Sequence, residues 1–435
     1  MTPVRAFGAG LVCAALACAA GAPERGLTIV HTNDLHARLL PDAKGRGGFA
    51  EVAATIREAC GDADACLVMD GGDMVQGSPV SSLFEGVPVY EIANRLGIDV
   101  ATLGNHEFDY GFGKIAQFTD AAEFPIINAN MHHPDGGQLA DAPSVVLTTE
   151  NGIRVGVVGA VTAKLPYLVT PGLLGEWVAK PVIESVAGLV AELDRKADVV
   201  IVLGHLENDE EQALLAVPGV DFVISGHDHS GLDEPVADED TAVLRIRAFG
   251  HEVGRLELTV DIDSDTVTAW SWESREVKDV DEPDAATLER VRAWEEKVSE
   301  HVDIDLATVG RDYRRAEVKS LFERALMEET GADFAYINPG AVRASFYAGK
   351  LRVRDVWNAM PFEDYIATGT IQGADLPEFI VEEYGLDPER EYRFATIDFV
   401  VAQWNQRGLG SIEVEHGELF RDLLVRWIGE QERLD

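Results

Sequence analysis

Five short polar runs hold residue types that can do chemistry at close quarters: Asp34-Leu35-His36, Gly71-Gly72-Asp73, Gly104-Asn105-His106, Gly204-His205 and Gly226-His227-Asp228-His229. Together they offer carboxylate, amide and imidazole groups and no thiolate. That donor mixture suits Mn, Zn, Fe or Co better than a closed structural zinc site. Two divalent ions held about 3.5–4 Å apart need a shared ligand, and a carboxylate bridges well. Such a pair polarises phosphoryl oxygens and generates hydroxide near neutral pH. Glycines beside the polar groups allow tight turns that bring backbone and side chains close to the ions.

Each run follows an apolar stretch that reads as a strand. Leu27–His31 precedes Thr32-Asn33-Asp34-Leu35-His36, Cys66–Met69 leads into Asp70-Gly71-Gly72-Asp73, and Val100–Leu103 runs into Gly104-Asn105-His106-Glu107-Phe108-Asp109. Val199–Leu203 ends at Gly204-His205, Asp221–Ile224 ends at Ser225-Gly226-His227-Asp228-His229, and Val155–Gly159 is a further apolar strand. Helical stretches Gly48–Glu58 and Val89–Leu96 lie between the early strands, and Leu256–Asp261 with Thr266–Trp272 reads as a hairpin. Continuous apolar runs separated by helices predict an α/β fold with sheets buried on both faces. Ligands in open sheets of this kind collect beyond the strand carboxyl ends, and His36, His106, His205, His227 and His229 all fall just after apolar runs. His31 and His251 read instead as structural, and His132-His133 as exposed loop residues. Glu107 is not expected to be a ligand, and Asp70 is expected to support the turn before Asp73.

The chain has 435 residues, enough for two or three domains. Its 46% apolar and 26% charged content excludes fibrous and disordered classes. Asp and Glu number 76 against 36 Lys and Arg, a net charge of −40 that repels phosphate polymers, so no nucleic acid polymer is expected as a partner. An anionic substrate would need local positive charge, which metal cations supply. The excess of acid reads either as an adaptation to salt or as an extreme exported composition.

Arg5 and the uncharged run Ala6–Pro23 make residues 1–22 a secretion signal, too short and too Ala/Gly-rich for a retained span. Export to the periplasm or medium is expected. A lipid anchor at Cys18 is the one route to a membrane, and a short buried N-terminal helix is a third reading. Of the four cysteines, Cys13 and Cys18 lie in the signal. Cys60 and Cys66 suit a disulfide in an oxidising compartment, with two free thiols as the alternative.

In order and composition these runs resemble the calcineurin-like metallophosphoesterases and, more narrowly, the exported 5′-nucleotidase family, which includes UDP-sugar hydrolases. Thr32-Asn33-Asp34-Leu35-His36, Gly104-Asn105-His106-Glu107-Phe108-Asp109 and Ser225-Gly226-His227-Asp228-His229 are the specific matches. The resemblance implies a four-layer α/β/β/α sandwich over 26–280. A linker helix over 281–302 (Leu288, Val291, Trp294 and Val298 recur at helical spacing) and a smaller, shortened mixed α/β domain over 303–435 would follow. It implies one ion on Asp34, His36, Asp73 and His229 and a second on Asp73, Asn105, His205 and His227, with Asp73 as bridge. It also implies in-line attack on phosphorus by a metal-activated water, with His106, oriented by Asp109, stabilising the transition state.

Asn338-Pro339-Gly340-Ala341-Val342-Arg343 resembles the family's Asn-Gly-Gly-Gly-Ile-Arg turn, with Pro339 and Ala341 in place of glycines. Gly349-Lys350-Leu351, Pro361-Phe362 and Ile371-Gln372-Gly373-Ala374-Asp375-Leu376 follow in the family's order. The match implies Arg343 on the substrate phosphate, Asn338 and Phe362 on the base, and Phe362 stacking. Arg314 is a further anion-binding candidate, in competition with Arg311 and Arg315. The chain departs from the family where Leu376 to Tyr392 is short and where a Gly-Gly-Asp-Gly-aromatic segment is replaced by Ala402-Gln403-Trp404-Asn405-Gln406-Arg407-Gly408. Trp404 is either the substitute second aromatic or a packed core residue. Ala37 also replaces a common glycine. The activity implied is release of phosphate from nucleoside monophosphates. UDP-sugar or 2′,3′-cyclic nucleotide hydrolysis, a sulfur-oxidation thiosulfohydrolase and an inactive surface binding protein are the alternatives.

Overall fold

The computed structural model describes residues 24–61, 63–238, 241–406 and 412–435. The expected signal over 1–22, with Cys18, lies outside the described residues. Alternation along the strands decides the layers. In Glu24–Thr32, Leu27 and Ile29 enter one core and Val30 another. In Val199–His205, Val199, Ile201 and Leu203 enter that first core while Val200 and Val202 enter a third. The shared core therefore lies between two six-stranded sheets, and the other two lie under helices on the outer faces.

The first sheet runs in the order Thr266–Glu276, Glu252–Asp261, Glu24–Thr32, Cys66–Asp70, Val100–Thr102, Ile126–Ile127. The second runs Val236–Ala237, Ala242–Leu244, Phe222–Gly226, Val199–His205, Arg154–Val161, Ser144–Thr148. Helix Phe49–Cys60 covers the first with Phe49, Val52, Ala53 and Ile56, an i, i+3, i+4, i+7 stripe. Helix Val182–Leu193 covers the second with Val182, Val186, Val190 and Leu193. The result is the expected four-layer α/β/β/α sandwich.

Parallel pairing of Glu24–Thr32 with Cys66–Asp70 and of Val199–His205 with Phe222–Gly226 puts all the polar runs at one edge. The two sheets nearly touch there. A Cβ on Gly71 would lie 3.0 Å from the Asn33 side chain and 3.3 Å from Gly226 N, so any larger residue there would have to push the two loops apart by a few tenths of an ångström.

Helix Ala285–Val302 is capped by Asp284, whose Oδ1 accepts the Thr287 N–H at 2.8 Å. It buries Val291, Val298 and Val302 in the outer core of the first sheet. From the following segment Arg354 reaches back to Glu295 and Asp303, both at 2.7 Å. Beyond it a separate core gathers Phe322, Phe334, Phe346, Phe394 and Phe420. Around this core stand a four-stranded sheet (Phe334–Ala335, Glu391–Ile397, Tyr365–Gln372, Glu415–Leu419) and a three-stranded one (Gly349–Arg352, Asp305–Val309, Arg433–Leu434).

Several element boundaries differ from the sequence reading, among them the hairpin, whose strands span Glu252–Asp261 and Thr266–Glu276. The second early helix spans Val87–Ala93, begun early by Pro88 in its first turn. In the second core the strand Phe334–Ala335 is only two residues long, and Pro339 opens a short 3₁₀ turn beyond it. Cys60 and Cys66 form a disulfide joining helix Phe49–Cys60 to strand Cys66–Asp70. Among the described residues no helix is long and apolar enough to cross a membrane.

Candidate metal centre and active site

Four of the seven expected ligands sit in left-handed backbone: Asp34 (φ 52°), His36 (φ 49°), Asp73 (φ 55°) and His227 (φ 85°). Such residues cost about 1–3 kcal/mol each and persist only where their surroundings fix them. Here they are fixed by hydrogen bonds between loops. Asp34 N–H donates to Gly72 O at 2.9 Å and His36 N–H to Asp73 O at 3.0 Å. The buried Glu107 carboxylate accepts from the N–H groups of Gly104 (2.6 Å), Asp73 (3.0 Å) and Met74 (2.9 Å). Glu107 is thus a clamp between two loops, and burial together with Asp73 pushes its pKa up to about 7. Asp70 accepts from Thr32 Oγ1 at 2.7 Å and Gly72 N–H at 3.0 Å, the turn-supporting role its position predicts.

The clamped loops bring Asp34, His36, Asp73 and His229 into one group whose ligand atoms all lie within 4.8 Å of one another. His36 Nε2 is 3.0 Å from His229 Nε2, 3.8 Å from Asp34 Oδ1 and 3.9 Å from Asp73 Oδ2. His229 Nε2 is 3.4 Å from Asp34 Oδ1. Asp73 Oδ2 also lies 3.1 Å from His205 Nε2, so it stands between the two expected sets. The second set is less tightly gathered. The His205 and His227 rings are 5.1 Å apart, but His227 Nε2 points to Glu207 Oε1 at 3.4 Å.

The donor set fits divalent cations. His36 Nδ1 faces Gln76 O at 3.0 Å and His205 Nδ1 faces Gly71 O at 2.9 Å, so each Nδ1 donates to a carbonyl oxygen and each Nε2 is left facing the cluster. Asn105 Oδ1 is buried without a hydrogen-bond partner, a state that costs free energy unless a ligand fills it. Burial opposes charge on His205, but Asp73 and Asp34 outweigh it and hold its pKa up to about 10. Burial and His229 keep His36 well below the usual imidazole range. In this cluster of carboxylates protons stand in for a cation.

Beside the cluster, His106 Nδ1 donates to Asp109 Oδ2 at 2.7 Å, which directs Nε2 to Arg343 Nη2 at 2.9 Å. Phe362 stacks on the His106 ring at 5.7 Å, and the Arg343 guanidinium lies 5.2 Å over Phe362. These groups line a cavity of about 520 Å³ between the sandwich and the second core. Asn105, His106, Asp109, Asn338, Arg343 and Phe362 all face it. Asn338 Oδ1 is a further buried acceptor without a partner.

Several residues resolve differently from the sequence reading or were not visible in it. Trp404 is core: it is 4% exposed and stacks on Tyr336 at 6.1 Å. The aromatic from that helix that faces the cavity is Phe399, with Asp398 and Gln403. Asp364 and Glu207 also escaped the sequence reading, since neither belongs to a short run. Arg314 is exposed and Arg311 pairs with Glu317 at 2.7 Å, whereas Arg315, also exposed, donates from Nε to Val342 O at 2.8 Å. His31 is structural, accepting from Trp272 Nε1 at 3.0 Å, and His251 lies 3.6 Å from Asp42. His132 is exposed as expected, whereas His133 is half-covered by Trp177 at 5.0 Å.

Residues 27–231 match the calcineurin-like phosphoesterases and residues 299–385 match the 5′-nucleotidase C-terminal domain. The chain is 26% identical over 444 residues to a 5′-nucleotidase of Vibrio cholerae, an alignment covering 86% of this chain and 79% of that protein. Its fold is similar to that of a 5′-nucleotidase precursor from Thermus thermophilus, with TM-score 0.83 at 22% identity over 94% of this chain and 97% of the other. A sulfate thiohydrolase from Thermus thermophilus is also similar in fold, with TM-score 0.80 at 14% identity over 94% of each chain.

Proposed function

The chain belongs to the calcineurin-like phosphoesterases that carry a 5′-nucleotidase C-terminal domain, a metal-dependent hydrolase family, and from that membership we propose that it releases phosphate from nucleoside 5′-monophosphates. Asp34, His36, Asp73 and His229 would hold one divalent ion, and Asp73, Asn105, His205 and His227 a second. When bound, such ions polarise a phosphoryl oxygen and supply a nucleophile at neutral pH. The placement of Asp73 Oδ2 between the two sets supports its role as the shared ligand.

The observation that carries the reading is the contact of Arg343 with His106 across the cavity, 2.9 Å from Nη2 to Nε2. Two groups that can both be cationic touch there, and an anion bound against both relieves their repulsion. Burial lowers the His106 pKa, but Asp109 and Asp73 prevail and raise it, so a proton can be held at Nε2. From that atom His106 donates to a phosphoryl oxygen or to the departing alkoxide, while Asp109 keeps the ring oriented. The Arg343 fork binds the phosphate oxygens. Asn338 and Phe362 then border the organic half of the ester.

The Cys60–Cys66 disulfide supports an exported, periplasmic or secreted location. The test is phosphate release from AMP by the full chain with Mn²⁺, with a chelator control. Chelator-sensitive release is expected. No release from a chain shown to hold metal would overturn the nucleotide reading and turn attention to UDP-sugars, 2′,3′-cyclic nucleotides or a carrier-linked thiosulfonate.

A further inference from the structure

Phe249 lies in left-handed backbone, φ 67°, beside the metal centre. That region is uncommon for any residue but glycine, and a bulky side chain persists there only where its surroundings enforce it. Gly250 follows at φ 65°, so the chain takes two left-handed steps in succession. The turn is tied to the first ligand set by its backbone. Phe249 N–H donates to Asp34 O at 2.7 Å, and Ala248 N–H donates to His229 O at 3.3 Å. On its other side the turn needs a glycine: a Cβ on Gly47 would lie 2.6 Å from Phe249 O.

The strained backbone delivers a ring to two metal-ligand candidates. The Phe249 ring is 5.3 Å from His36, tilted by 36°, and 5.0 Å from His229, edge to face at 76°. His36 and His229 are themselves 4.8 Å apart at 69°. The three rings therefore meet pairwise, at separations where aromatic edges and faces attract, and Phe249 is the member with no ligating atom. Its own position is held by the Arg38 guanidinium, 5.5 Å from the ring centre, and by His251 at 5.8 Å.

This packing matters most for His229. The χ2 torsion of a histidine has broad wells, so the chain alone does not fix the plane of the ring. His36 is braced from behind, with Nδ1 on Gln76 O at 3.0 Å. His229 Nε2 meets its fellow candidates His36 and Asp34, at 3.0 and 3.4 Å, and Phe249 packs against its ring. In the second set His205 and His227 pack on each other, 5.1 Å apart.

We propose that Phe249 is a positioning residue for the ion held by Asp34, His36, Asp73 and His229: its ring fixes the imidazole planes of His36 and His229, and the strained turn exists to place it there. This rests on the two-metal reading of the site and adds to it a residue that touches no ion. Partners behind the ligands usually act through hydrogen bonds; here an aromatic face does the same work.

The test titrates the metal-free full chain with Mn²⁺, following the free ion by its EPR signal, with Tm of the metal-free chain measured alongside. The wild-type chain is expected to take up two ions. In Phe249→Ala one of them should bind about 10–100-fold more weakly and the other as before. Phe249→Tyr, which restores an aromatic face, should return the lost affinity, and Phe249→Leu, which restores bulk without one, should not. The Tyr and Leu variants carry the comparison if Phe249→Ala does not fold. Unchanged affinity in a folded Phe249→Ala or Phe249→Leu would overturn the proposal. So would equal weakening of both ions together with a lowered Tm, since that is the signature of packing alone. A wild-type chain that binds fewer than two ions would show that the two-metal reading itself has failed; two ions bound with equal affinity by wild type and variants would remove only the role of Phe249.

Discussion

The two walls of the cavity are built on different terms. On the sandwich side most polar side chains are held from behind: His36 by Gln76 O, His205 by Gly71 O, His106 by Asp109, and the loops under Asp73 by Glu107. On the opposite side Asn338 Oδ1 is buried without a partner, and the buried Asp364 carboxyl has the carboxylates of Asp398 and Asp109 for neighbours. The first wall is organised before anything binds, as sites for metal and phosphoryl chemistry must be. The second has fewer such supports. Disturbing the first should therefore affect turnover and metal retention, and disturbing the second should affect selectivity and stability.

The largest effect should come from Asp73→Asn, which removes the carboxylate between both ligand sets. A fall in kcat/KM of about 10³-fold or more is expected, with fewer metal ions per chain by elemental analysis. Retained activity with full metal content would remove Asp73 from the centre. His106→Asn should cost about 10²–10³-fold in kcat with metal content unchanged; a loss of metal instead would make His106 a ligand. Glu107→Gln sets an amide donor against backbone N–H donors at Asp73 and Gly104. About 10–100-fold weaker metal affinity is expected although the residue touches no ion, and an unchanged affinity would mean the clamp is not needed.

The two walls should also respond to pH with opposite sign in the metal-free chain. Despite burial, neighbouring histidines hold Asp34 and Asp73 below the usual carboxylate range. Their contribution is present above the unfolded value near 4 and lost as pH falls through the depressed one. Asp364 is raised, chiefly by burial. Its contribution is present below about pH 4 and lost as pH rises through the raised value. Asp364→Asn should accordingly raise Tm at neutral pH relative to the parent and leave the acid limb alone. A parallel shift at all pH values would assign the effect to packing.

The same contrast governs what could be read from the sequence. The metal-side wall is made of runs of two to six residues at strand ends, so residue type and position singled out the five runs, and the resemblance they carry supplied the seven candidate ligands, His106 and Asp109. Even Glu107 could be set apart, although its role as a clamp depends on Gly104 and Asp73 meeting across two parallel strands. The far wall has no local signature. Asp364 and Asp398 meet because strand Tyr365–Gln372 pairs antiparallel with Glu391–Ile397, a register that no short motif records. Phe362 was expected to wait for a base, but its ring is stacked on His106, which only the packing of the two halves reveals.

The smallest effect tests the substitution of one aromatic for another. Helix Asp398–Gln406 buries Val400, Val401 and Trp404 on one side and turns Phe399 and Gln403, four residues apart, to the cavity. Trp404 packs between Tyr336 and Phe394, at 6.1 and 5.7 Å, with no face left for a base. Trp404→Phe should thus cost about 1–3 kcal/mol of stability by leaving a void and leave KM for AMP unchanged. Phe399→Ala should do the reverse, raising KM several-fold with a smaller loss of Tm, since its ring is only half-buried. The helix offers the cavity one aromatic at a position set by its period. If Trp404→Phe moves KM and Phe399→Ala does not, the helix must rotate or unwind when substrate enters, and the far wall is rebuilt by binding.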